Sequence, residues 1–117
     1  MPRWMLAVAL LLAPSMTQAA DTVSGPARAT APETLVVANV RIRFAGFTAP
    51  ASDARCGEAA CAEKALARLA ELVATGPVTC TRGARAGHGV YSGSCRLADG
   101  RDPAQVLAGE GLLRPEQ

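Results

Sequence analysis

The sequence predicts a mainly β domain with helices, in the order β-β-β-α-β-β-α. Val40 to Phe44 alternates apolar and basic residues with period two, the pattern of a strand with one buried face. Cys61, Ala65, Leu66, Leu69, Leu72 and Val73 recur at helical spacing. Val78 to Arg82 and Val90 to Leu97 are β-rich runs around a glycine-rich connection. A chain of 117 residues, 50% hydrophobic and 19% charged, holds one such globular domain and leaves no room for a second.

Residues 1–19 are set aside first. Arg3 precedes an apolar run from Trp4 to Ala13, and the small residues Thr17, Ala19 and Ala20 follow. That is the pattern of a secretory signal peptide cleaved after Ala19, with Ala20 as the alternative. The run is shorter than the roughly 20 residues a bilayer crossing needs, and no later segment resembles a stop-transfer sequence. The expectation is an exported chain, periplasmic or secreted, with no transmembrane segment after cleavage and a single domain over residues 20–117.

Asp21 to Pro32, rich in Ala, Thr, Gly and Pro, predicts a flexible start and at most a weak edge strand, because Pro26 cannot donate to a ladder. Leu35 to Val37, a turn at Ala38-Asn39, and Val40 to Phe44 then predict a hairpin. Val40, Ile42 and Phe44 face the core, so Arg41 and Arg43 share the other side, whose ordinary reading is a solvated sheet face. One long helix is expected over Gly57 to Thr75, with Glu63, Lys64, Arg68 and Glu71 on its polar face. Gly76-Pro77 stops it, since glycine accepts a left-handed cap and proline cannot continue a helix. Asp102-Pro103, an N-cap followed by proline at the first helical position, opens a short helix through Val106 and Leu107 to about Gly109.

Four cysteines in a small exported chain predict two disulfides, with three pairings to choose from. If Val78 lies opposite Leu97 in an antiparallel pair, Cys80 falls opposite Cys95, where directly opposed Cα atoms are about 4.5 to 5.5 Å apart and within bridging range. Cys56 then pairs with Cys61 across the start of the long helix. There is no C-x2-C pair for zinc, no C-x-x-C-H for haem and no C-x-x-C for a thiol oxidoreductase. Twelve Lys+Arg against ten Asp+Glu give a formal charge of +2, far short of the excess of a strongly basic nucleic-acid-binding protein. Lys64 is the only lysine, and the preference for arginine reads as coding bias.

Specific strings resemble the thermonuclease (staphylococcal nuclease-like) family, a five-stranded OB-fold barrel. Ser24-Gly25-Pro26-Ala27-Arg28 stands at that family's opening strand, and Glu33-Thr34-Leu35-Val36-Val37 at its D-G-D-T followed by β residues. The segment from Val40 to Ala51, V-R-I-R-F-A-G-F-T-A-P-A, is similar to the family's V-R-I-R-L-A-G-I-D-A-P-E. Gly57, the Ala-rich helix, Val78-Thr79-Cys80 and the stretch from Asp99-Gly100-Arg101-Asp102 through Leu112 keep the family's order and spacing. The resemblance covers nearly all of residues 20–117, although the family's further C-terminal helix has no counterpart before Gln117.

The resemblance implies Ca²⁺-dependent cleavage of nucleic-acid phosphodiesters, in which carboxylates hold the metal, a glutamate activates water and two arginines meet charge on the phosphate. A hard cation takes 6 to 8 oxygen ligands, water needs a positioned base, and in-line attack builds charge for fixed guanidinium groups. Position by position, this chain departs from that pattern. The first aspartate of D-G-D-T becomes Ala31, and the metal-binding second aspartate becomes Glu33, one methylene longer. The next metal carboxylate becomes Thr48, and the water-activating glutamate becomes Ala51. Arg43 keeps the first arginine, while Val90 stands for the second when His88-Gly89-Val90 is aligned with Y-G-R. Glu33 and Arg43 are the remnants of the site, and Glu33 is its only charged metal ligand.

Losing a general base costs roughly 10² to 10⁴ in rate, and losing a charge-stabilising donor roughly 10² to 10³. The expected function is therefore a non-catalytic exported domain that binds a partner or serves a structural role, without a cofactor. The alternative is a Ca²⁺-dependent nuclease rebuilt on Glu33, Arg43 and His88, the only histidine, whose ordinary reading is a solvated loop residue. Asp53, Glu58 and Asp99 are explained by loop, helix-start and turn chemistry. Weak nucleic-acid contact through Arg41, Arg43, Arg82 and Arg85 is open, and so is a protein or envelope partner. Phe44, Phe47 and Tyr91 offer little stacking surface.

Overall fold

The structure is a computed structural model that describes residues 21–116. The signal peptide read at residues 1–19 lies outside the described residues. The chain folds as a mainly β domain in which one curled sheet of six strands wraps a core closed by two helices.

The opening stretch is fully paired. β1 (Thr22–Gly25) runs antiparallel to β8 (Val78–Gly87), and β2 (Ala27–Ala31) antiparallel to β3 (Thr34–Val37). Pro26, read from sequence as a reason for weak pairing, sits between the two strands, where no ladder needs its missing donor. The sheet order is β1-β8-β9-β4-β3-β2, so its two edges are consecutive in sequence and joined through Pro26 alone. Sequence reading placed five strands in this sheet; Gly25-Pro26 divides the first of them in two.

β3 and β4 (Val40–Phe44) form the expected hairpin, with Val37 opposite Val40. Its two-residue turn places Ala38 at φ 51° and Asn39 at φ 65°, the left-handed pair whose twist matches flanking strands. Leu35, Val37, Ile42 and Phe44 are buried on one face, while Arg41 is exposed and Arg43 half-buried on the other. β4 then pairs in parallel with β9 (Val90–Arg96), setting Arg41 beside Val90 and Arg43 beside Ser92.

Helix α1 spans Cys61–Val73, four residues shorter at its start than the expected Gly57. Gly57 adopts φ 75° in the turn between β6 (Arg55–Cys56) and β7 (Ala59–Ala60), so Glu58 belongs to that turn and not to the first turn of a helix. The Cys56–Cys61 disulfide clips this small hairpin to the helix. At the other end the Thr75 hydroxyl donates to the Leu72 carbonyl at 2.9 Å, and Gly76 turns the chain at φ 155°. Ala65, Leu69, Leu72 and Val73 enter the core against the curled sheet.

β8 continues five residues beyond the expected Arg82, because its hairpin with β9 closes in a two-residue turn at His88-Gly89 rather than in a glycine-rich loop. Cys80 lies opposite Cys95 and is bonded to it, with both buried, as the strand register required. α2 (Pro103–Gly109) starts where sequence placed it, with the Asp102 carboxylate accepting from Ala104 N at 2.9 Å and Gln105 N at 3.4 Å. Leu107, Leu112 and Leu113 complete the core. The chain then returns as β10 (Arg114–Pro115), antiparallel to β5 (Phe47–Thr48). No helix among the described residues is long and apolar enough to cross a membrane.

Candidate functional site

Of the residues marked by the family resemblance, Ala31, Glu33 and Arg43 come together at the end of β4 where the chain leaves the sheet. Thr34 lies opposite Arg43, and the Phe44 amide donates to the Glu33 carbonyl at 2.9 Å, so the turn before β3 packs its backbone on the strand that carries Arg43. Glu33 and Arg43 are thus brought together, although no ion pair joins them among the described residues. The Glu33 carboxylate has one oxygen, Oε1, buried with no hydrogen-bond partner. Ala31 ends β2 opposite Thr34.

Thr48 and Ala51 lie beyond this centre. The A-G-F-T-A-P segment turns at Gly46, with φ 86°, and is held from two directions. Ala45 N donates to Gly93 O at 2.8 Å, and Glu116 N donates to Gly46 O at 2.8 Å. The Thr48 hydroxyl donates to the Arg114 carbonyl at 3.4 Å, and the Arg114 guanidinium reaches the Ala49 carbonyl at 3.3 Å through two nitrogens. Position 48 is therefore occupied with fastening β10. Ala51 is exposed, its carbonyl accepting from Ala54 N at 3.0 Å. Sequence reading missed this β5–β10 pair because two-residue strands leave no periodicity.

Val90 and His88 belong to the opposite end of β4. Val90 is in register with Arg41, not Arg43, and His88 stands one turn further at the hairpin tip. Three residue steps separate that level from Phe44, roughly 10 Å at about 3.3 Å per residue, and His88 lies beyond it on the far side. His88 and Glu33 therefore cannot share a cation or a reacting group.

Ca²⁺ does not fit these residues. It needs 6 to 8 oxygens with several carboxylates among them, and no cluster of three or more His, Cys, Asp or Glu exists among the described residues. Glu33 is the sole carboxylate at the centre, and the side chains at 31, 48 and 51 supply one hydroxyl already engaged.

The remaining charge is sorted by location. Arg68 ties α1 to the end of α2, bonding both Glu110 carboxylate oxygens at 2.9 to 3.3 Å and Glu71 at 3.0 Å. These carboxylates hold its guanidinium pKa above the ordinary value, Glu110 more than Glu71, and Arg68 in turn lowers that of Glu110. Asp99 accepts from the Arg101 amide at 3.0 Å and its guanidinium at 2.9 Å, which lowers the Asp99 pKa. On the sheet, Arg82 and Arg85 stack on the Tyr91 ring at 4.8 and 5.5 Å from its centroid. Arg28, Arg41 and Arg43 have no carboxylate partner among the described residues.

No protein-family model matches this chain, and no curated protein matches it.

Proposed function

We propose that the chain is an exported, non-catalytic binding module on a staphylococcal nuclease-like scaffold. The curled sheet supports the reading as a five-stranded OB-fold barrel, since its two edge strands, β1 and β2, are consecutive and count there as one bent strand. The observation that carries this reading is the state of position 48: where the resemblance implies a metal carboxylate, a threonine hydroxyl fastens the C-terminal strand. With Ala51 at the base position and Val90 turned toward Arg41, three of the five roles lack their chemistry. The two disulfides support export, since such bonds persist in oxidising compartments. The binding surface is the outward face of β2, β3 and β4, which carries Arg28 and Arg41, whereas Arg82 and Arg85 pair with Gly93 and Tyr91 on the side of the sheet that holds Ile42.

One observation favours the Ca²⁺-dependent nuclease instead, the unpartnered Glu33 Oε1, which a cation would satisfy. The deciding experiment incubates the oxidised protein with single-stranded DNA and RNA in Ca²⁺, in chelator, and as Arg43→Ala. No cleavage above buffer is expected in any arm. Cleavage that requires both Ca²⁺ and Arg43 overturns the binding reading.

A further inference from the structure

Arg28, Val36 and Arg41 form one row across three neighbouring strands. Arg28 pairs with Val36, and Val36 with Arg41, on the sheet face opposite buried Leu35 and Ile42. The two arginine Cα atoms are two strand spacings apart, about 10 Å, and both side chains are exposed. With Asn39 and Gly89, from the tips of the two hairpins, they line a mainly polar groove of about 350 Å³ whose floor is Val36.

No carboxylate compensates the charge in this groove among the described residues. The neighbouring positions on the same face are Thr30 on β2, Thr34 on β3, Arg43 on β4, and Val90 and Ser92 on β9, none of them acidic, and Glu33 lies at the far end of β4. Elsewhere arginines have partners: Arg68 and Arg101 meet carboxylates, and Arg55, Arg96 and Arg114 meet carbonyls. Two guanidinium groups facing one small concavity repel each other until a dianion enters, and their planar forks match phosphate oxygens in bidentate fashion. The volume admits one or two phosphoryl groups with a small apolar appendage against Val36.

We propose that this groove binds a phosphate ester, held between Arg28 and Arg41 and separate from the remnant centre at Arg43. The site rests on the reading of the chain as a binding module, but its test is independent, since titration in chelator reads the groove and cleavage reads the enzyme. Calorimetric titration of the disulfide-bonded protein uses pyrophosphate in one arm and vesicles containing phosphatidic acid in the other, with Arg28→Gln, Arg41→Gln and Arg43→Gln beside wild type. The three variants change exposed or half-exposed side chains, and unchanged thermal unfolding confirms that they fold. Saturable binding with one site per chain, weakened about tenfold or more by Arg28→Gln and by Arg41→Gln but less than about threefold by Arg43→Gln, is expected. Such binding to pyrophosphate identifies a soluble phosphate compound as the source, and binding confined to vesicles identifies a lipid headgroup. Absence of binding in both arms, or equal loss in all three variants, overturns the proposal.

Discussion

Gly93 is the position where one added methyl group should do the most damage. It is buried in the middle of β9, opposite Arg82 on β8 and in register with Phe44 on β4, and its carbonyl accepts from Ala45 N. A Cβ built there would overlap the Thr81 carbonyl oxygen and approach Ile42 Cγ2 at 3.1 Å. The oxygen belongs to backbone, and the Cys80–Cys95 bond next to it prevents β8 from sliding away. Overpacking of this kind costs about 1 to 3 kcal/mol, and losing one or two ladder hydrogen bonds adds about 1 kcal/mol each. Gly93→Ala should therefore destabilise by roughly 2 to 5 kcal/mol, which lowers the Tm of a domain this size by roughly 10 to 30 °C. Gly109→Ala is the control in the same assay, because it lies within α2 with nothing within 4 Å of its added Cβ. It should stabilise by about 0.5 to 1 kcal/mol, since glycine loses more backbone freedom in a helix. Thermal unfolding followed by circular dichroism measures both. A Gly93→Ala protein that melts within about 3 °C of wild type would refute the close approach of β8 to β9 at this step.

Ala38 holds φ 51° without the excuse of being glycine or asparagine. Replacing it with asparagine should raise stability by about 0.5 to 1 kcal/mol in a urea titration, because left-handed geometry costs an ordinary L-residue about 1 to 2 kcal/mol. Disrupting Cys80–Cys95 with a double alanine replacement should cost about 3 kcal/mol for its separation of 15 residues, and disrupting Cys56–Cys61 about 2 for its separation of 5. The two double variants, compared in the same denaturant series, should keep that order. Asp99 and Glu110 both have pKa values lowered in the fold by arginine donors. The stability they contribute is complete above the ordinary carboxyl range and is lost as pH falls through their lowered folded values. Glu110→Gln should lower stability slightly above the ordinary carboxyl range, the effect being small because the pair is exposed, and leave it unchanged at the acid end, so the acid limb of a stability-versus-pH curve flattens.

What sequence made legible was whatever depends on contacts close along the chain. The hairpin at 34–44 followed from alternation on both sides of a two-residue turn, and Cys80 found Cys95 because an antiparallel register conserves the sum of paired positions. The α2 cap was equally local, a single carboxylate over two amides. The opening strands escaped because β1 pairs with β8 and β2 with β3, so the same proline reads as a breaker locally and as a corner in the sheet. β8 ran on through Gly83 to Gly87 because ladder bonds to β9, not side-chain propensity, hold it extended. At the candidate site, the departures from the pattern that the sequence resembles were visible as letters, whereas the pairing of Thr48 with the strand at Arg114 was not.

The Arg28–Arg41 groove shows most sharply how the placement of charge can depend on such a non-local detail. The β2–β3 ladder has an irregularity between Ala29 and Ala31, where Thr30 is accommodated without a partner. On the near side of that irregularity, Arg28 lies opposite Val36 and faces outward beside Arg41. Had the ladder kept the register of Ala31 with Thr34 throughout, every residue before it would shift by one, and alternation would turn Arg28 toward the core while Ala27 and Ala29 faced solvent. An arginine cannot be buried there against Leu35 and Val37 without a partner. The irregularity at Thr30 is therefore what lets one strand supply small residues to the core and a guanidinium to the groove.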